Sequence, residues 1–135
     1  YQHLYTPQLD TYLASHFSIS EDADGKTLLL ALADATLSFS EEIGREMTSL
    51  SITVMLSRGT SHLFTEGRVH TRLLHQALSQ SQAGNQLKCE GSEHELMLIY
   101  SCLMVGFLVK WASLADESNF DWHNLLQREM QLMFC

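Results

Sequence analysis

The sequence predicts an all-α fold of five to six helices, and three observations carry that prediction. Breakers are scarce: one Pro and seven Gly among 135 residues, with Leu spread throughout, a composition that favours helices over a sheet with frequent turns. The stretch 96–114, LMLIYSCLMVGFLVKWASL, is apolar almost all the way round. It follows Ser92-Glu93-His94-Glu95, where the Ser hydroxyl can accept from an early helix amide while Glu95 reaches back to the cap. Two further stretches, 26–45 and 68–80, repeat apolar residues at three- and four-residue intervals opposite a polar face.

Taken in order, residues 1–7 read as a leader, with Pro7 suited to a first helical turn. Residues 8–17 form a short helix burying Leu9, Tyr12 or Leu13, and Phe17, and 18–25 a polar, acidic loop. From Lys26 to about Arg45, Leu28, Leu29, Leu32, Ala35, Thr36, Phe39 and Ile43 share one side, with Asp34, Ser38, Glu41, Glu42 and Arg45 largely opposite. Residues 47–67 read two ways. Leu50, Ile52, Val54 and Leu56 alternate with Ser51, Thr53, Met55 and Ser57, a strand period that Arg58-Gly59 would turn into a β-hairpin over 50–66. An isolated hairpin is marginal in water, which favours a helix over about 49–57. In 68–80, Val69, Leu73, Leu74, Ala77 and Leu78 face inward, and 79–91 (SQSQAGNQLKCEG) reads as a flexible linker. The helix over 96–114 is interrupted by Ser101, Gly106 and Lys110, and its unbroken apolar core is shorter than the roughly 20 residues a bilayer needs. It is therefore expected as the central, buried helix, with no membrane span. Ser118 and Asp121 offer a cap for a last helix over 121–134, burying Trp122, Leu125, Leu126, Met130, Leu132 and Met133.

These elements suit one helical domain over 1–135, either an irregular bundle or helices stacked in pairs like a fragment of an armadillo or HEAT repeat array. No internal period with matching residues singles out the repeat. A first residue of Tyr1 suggests a fragment of a longer protein. The three cysteines, Cys89, Cys102 and Cys135, are odd in number and lack metal-type spacing, which leans toward a reducing intracellular compartment, cytoplasm or nucleus.

The net charge of −8 opposes unaided binding to nucleic acid or an anionic membrane. It is unevenly placed. Residues 1–46 hold two Lys/Arg against eight Asp/Glu, and 90–135 hold two against seven. Residues 47–89 instead set Arg58, Arg68, Arg72 and Lys88 against Glu66 alone.

Several motifs approach chemistry without completing it. Asp24-Gly25-Lys26-Thr27 resembles the end of a phosphate loop, but Ser20 stands at the first glycine position, and Glu21, Asp22 and Asp24 would repel a triphosphate. As a calcium loop the same stretch offers Ser20, Asp22, Asp24 and Gly25, yet Ala31 occupies the place of the bidentate Glu. His70 and His75 are five residues apart, off the four-residue spacing of helical metal ligands. No nucleophile signature occurs. No cofactor, metal or catalytic residue is therefore expected.

Two surfaces remain as candidates for contact. Arg68, Arg72, His75 and Gln76 lie along one helical face opposite the leucines, and with Arg58 and His62 they make a basic groove for an acidic or phosphorylated segment, because the planar Arg fork holds a carboxylate through two parallel hydrogen bonds. At the C-terminus, Met130, Leu132, Met133 and Phe134 exceed one apolar stripe, which suggests an interface or a truncated core. The expected function is a non-enzymatic protein–protein interaction domain, a scaffold or adaptor that binds another protein or itself as a homodimer. The alternative is a ligand-sensing domain with an apolar cavity inside the bundle.

Overall fold

The computed structural model describes residues 2–16, 24–58, 69–84, 87, 90–114 and 119–134. These residues form six helices and no strand: α1 (Gln2–His16), α2 (Gly25–Ile43), α3 (Arg45–Arg58), α4 (Val69–Ala83), α5 (Glu93–Ser113) and α6 (Trp122–Phe134). Of the hairpin alternative, 50–58 is helical, and 59–66 lies outside the described residues. The stretch read as a leader is helical from Gln2. The stretch read as a linker is helical through Ala83, with Ser81 wholly buried.

Local sequence sets the ends. Asp24 caps α2 by accepting from the Thr27 amide at 2.7 Å. Gly44 ends it at φ 94°, ψ 160°, a combination open to little besides glycine, so α3 starts one residue later. Ser92 and Glu95 form the expected reciprocal box at the start of α5. Asp121 accepts from the Asn124 amide at 3.0 Å at the start of α6.

The central helix is α2, not α5. It packs against α1, α3, α4 and α6, whereas α5 lies on α3 and α4. The reason is how closely backbones can approach. On α2 the small residues Gly25, Ala33, Thr36 and Ser40 are buried among Leu28, Leu29, Leu32 and Leu37. The buried hydroxyls return to carbonyls one turn earlier, Thr36 to Leu32 at 2.8 Å, Ser40 to Thr36 at 3.0 Å and Ser81 of α4 to Ala77 at 2.7 Å. Their burial therefore leaves no donor unsatisfied. Helix α6 lays Trp122, Leu126, Met130 and Phe134 inward at four-residue steps, and its Gln127 amide donates to the Leu30 carbonyl of α2 at 3.0 Å.

Candidate interaction surface

The buried side of α5 consists of Leu96, Tyr100, Met104, Phe107, Leu108 and Trp111. Met97, Ile99, Leu103, Val105 and Ala112 pack half-buried at its edges, and the remaining side is open because α5 sits at the margin of the bundle. The residues left outside are as apolar as those inside: Leu98 is 52% exposed, Val109 and Leu114 are exposed, and so are Cys102 and Gly106. An apolar composition on every side therefore does not place α5 at the centre. By length and composition α5 can also cross a membrane.

Helix α6 packs mainly on α2, and its side chains contribute the second wall of clefts whose first wall is α5. With its Trp122–Phe134 stripe turned toward α2, it leaves Leu132 77% exposed and Met133 47% exposed. Two open clefts of about 690 and 710 Å³ lie between the helices and share Leu103 and Glu129. One reaches Leu114, Phe120 and Trp122; the other reaches Leu98, Cys102, Leu132 and Met133. Lys110 and Glu129 are the charged residues in their walls. The floor is stiff, with Phe107 edge-on to Trp122 at 5.8 Å and Trp122 against Phe120 at 5.1 Å.

The C-terminal contact residues expected from sequence divide accordingly. Met130 and Phe134 are wholly buried, so neither is a surface contact; they lie four residues apart on the stripe set by Trp122, and the Phe134 ring packs 6.5 Å from that of Tyr100 of α5. Met133 is on the surface, joined by Leu132. Of the basic groove, three residues can be placed with their side chains. Arg72 and His75 are exposed and Gln76 is half-buried on α4. Arg58 closes α3, and His62 and Arg68 lie outside the described residues. His75 pairs through Nδ1 with Glu93 of α5, which also accepts from Ser79 at 3.4 Å. An acidic partner for His75 is thus supplied by the fold itself.

A small polar cleft lies at the other end of α6, lined by Glu41, Arg45, Trp111, Asp121 and His123 among others. The His123 ring bridges two carboxylates of α2, Nδ1 to Asp34 and Nε2 to Glu41, both at 2.5 Å. Partial burial lowers its pKa, but the hydrogen bonds and charges of the two carboxylates outweigh that and raise it above 6.5. With both ring nitrogens donating, His123 has no lone pair to offer as a base, and it acts as a clasp between α6 and α2. Arg45 ties α3 to α5 in a comparable way. Its Nε donates to the Trp111 carbonyl at 2.9 Å, and its guanidinium lies 5.0 Å from the centre of the Trp111 ring. Among the described residues no three His, Cys, Asp or Glu side chains are placed to hold a metal ion.

Sequence reading missed the exposed α5 residues because it equated apolar with buried. It also missed His123 as a clasp, whose partners lie far away in the chain. Compared with known proteins, the chain matches no family model, no curated protein and no solved structure.

Proposed function

We propose that this chain is a non-enzymatic protein–protein interaction module and that its contact surface is the apolar face shared by α5 and α6. The observation that carries this reading is the continuity of exposed large apolar residues, from Leu114 and Phe120 at one end to Leu98, Leu132 and Met133 at the other. Exposed apolar area of this kind mostly marks contact sites. The clefts open on the surface and carry few polar groups with which to orient a small molecule, which favours a macromolecular contact over the ligand-sensing alternative. The exposed thiol of Cys102 fits a reducing intracellular setting. The scaffold or adaptor role and a contact made independently of nucleic acid belong to the same proposal.

The test is site-specific photo-crosslinking in cells. A benzophenone side chain replaces Leu98 or Val109 in one set of chains, and Arg72 in another. Protein adducts from positions 98 and 109 and none from position 72 are expected. Adducts from 72 alone would return the contact to the basic helix, lipid adducts alone would make α5 a membrane element, and no adducts at all would refute the module.

A further inference from the structure

The outer face of α5 carries more information than its apolarity. Exposed Leu98, Cys102 and Val109, with half-buried Val105 and Ala112 between and after them, follow one another at steps of four, three, four and three. That 3.5-residue repeat keeps a seam turned toward a second helix aligned with the first at a shallow angle. A helix laid along that seam can pack against it over its whole length.

Gly106 adds a steric constraint. It sits in the middle of α5, where glycine weakens a helix relative to alanine, and a Cβ built there would meet nothing within 4 Å. Among the described residues nothing therefore requires glycine at this position. With Cys102 one turn earlier, it leaves a narrow section of α5 that a neighbouring side chain or backbone can approach closely.

Charge decides which helix fits. Exposed Glu95 stands at the first turn of α5 and exposed Lys110 in the last, with Glu93 beside the former. A parallel copy would set Glu95 against Glu95 and Lys110 against Lys110. An antiparallel copy reverses this, and its helix dipole opposes the first as well. Placing the seams in layers then sets Leu98 against Val109 of the second copy and Cys102 against its Val105, each layer occurring twice by symmetry. In that register Lys110 lies within about 3 Å, measured along the axis, of the level of Glu95 on the other chain. Half-buried Ile99 comes within one turn of the level of Gly106 on the other chain.

We infer that the occupant of this surface is a second copy of the same chain, with the two α5 helices packed antiparallel and Leu132 and Met133 flanking the seam. The inference rests on the interaction reading above and names its partner. It makes the α5 seam a homodimer contact that needs no third component.

Sedimentation equilibrium of the whole chain under reducing conditions, at about 100 μM and below, reads the association directly, since a micromolar dimer is well populated there. The parent is expected to be dimeric. Gly106→Leu is expected to fold at least as well, because the space is open and leucine is the better helix former, yet to dimerise at least tenfold more weakly. Orientation is read by oxidation in a Cys89→Ser/Cys135→Ser background. Val105→Cys, paired with the native Cys102, is expected to give an interchain disulfide, and Cys102 alone little, because in the antiparallel register the two Cys102 residues lie on different layers. A parent that stays monomeric overturns the inference, and so does Gly106→Leu dimerising like the parent. Rapid bridging through Cys102 alone would make the pair parallel and overturn the register. If the parent is monomeric while position 98 or 109 still crosslinks to a different protein in cells, the interaction reading survives and only the identity of the partner fails.

Discussion

Gly25 and Gly106 are both helical glycines, and replacing each with alanine is expected to move stability in opposite directions. A Cβ at Gly25 would stand 2.5 Å from the Ala77 carbonyl oxygen and 2.5 Å from the Ser81 hydroxyl, and it would overlap the Ser81 backbone nitrogen. Contact between such atoms is comfortable at about 3.5 Å, so α2 and α4 must separate by about 1 Å. They cannot do so freely, because Leu28, Leu29, Leu74, Ala77 and Leu78 pack across the same contact, all of them buried. Overpacking of this kind costs about 1–3 kcal/mol. Disturbing the Ser81–Ala77 hydrogen bond adds about 1 kcal/mol. The gain from replacing glycine is at most about 1 kcal/mol and is smaller in the first turn. The net expectation for Gly25→Ala is a loss of roughly 2–3 kcal/mol, or about 8–12 °C in Tm for a domain of this size. At concentrations where the chain is monomeric, Gly106→Ala has no clash to offset the better helix former and should gain about 0.5–1 kcal/mol. Thermal melts followed by far-UV circular dichroism measure both. A Gly25→Ala chain melting at or above the parent would refute the close α2–α4 approach, and with it the account of why α2 is central.

Four further outcomes are expected. Gly44→Ala should lose about 1–3 kcal/mol in the same melts, because its φ of 94° and ψ of 160° exclude a Cβ at low energy. Ser92→Ala should lose about 1 kcal/mol by breaking the capping box, and Ser92→Asp should retain most of the stability. The His123 clasp sets a pH dependence. Its folded pKa lies above the unfolded 6.5, so its stabilisation is complete below about pH 6.5 and fades as pH rises through the folded value. The Tm should accordingly fall between about pH 6 and pH 8, by an amount worth less than about 1 kcal/mol at this half-exposed site. The fall should be smaller in Asp34→Asn/Glu41→Gln; equal slopes would remove the clasp. Leu98→Glu, compared with the parent at concentrations low enough that neither chain dimerises, should leave the melt within about 0.5 kcal/mol, because the residue is half-exposed within its own chain. A large loss would place Leu98 in the core.

What the sequence disclosed follows the range of the interactions involved. Caps are local, and Ser92 with Glu95, and Asp121, could be read directly from their spacing. The alternation over 50–57 was misleading because a strand period stabilises only when other strands accept it. Here Ser51 and Thr53 return their hydroxyls to the Met47 and Ser49 carbonyls and sit without conflict in α3. The order of burial was not legible, because apolarity ranks α5 first while close packing favours the small residues of α2. Met130 and Phe134 could not be separated from Leu132 and Met133 by composition. The separation depends on the phase fixed by Trp122 and Leu126 against α2, which no local pattern states. The pairing of His75 with Glu93 was hidden for the same reason, since Glu93 comes from the next helix.

Helix α5 is pinned at both ends by groups outside it. Glu93 at its first turn holds His75 of α4, and Arg45 of α3 takes the Trp111 carbonyl near its end. The stretch between them, which includes Leu98, Cys102 and Val109, therefore keeps a fixed bearing before anything binds. Contact there orders few side chains and no backbone, so the conformational entropy that a folding-upon-binding segment would surrender is retained. Association should consequently show the small entropy cost and unchanged α5 amide protection of two preformed bodies meeting, and loosening either pin should slow that encounter without altering a single residue on the face.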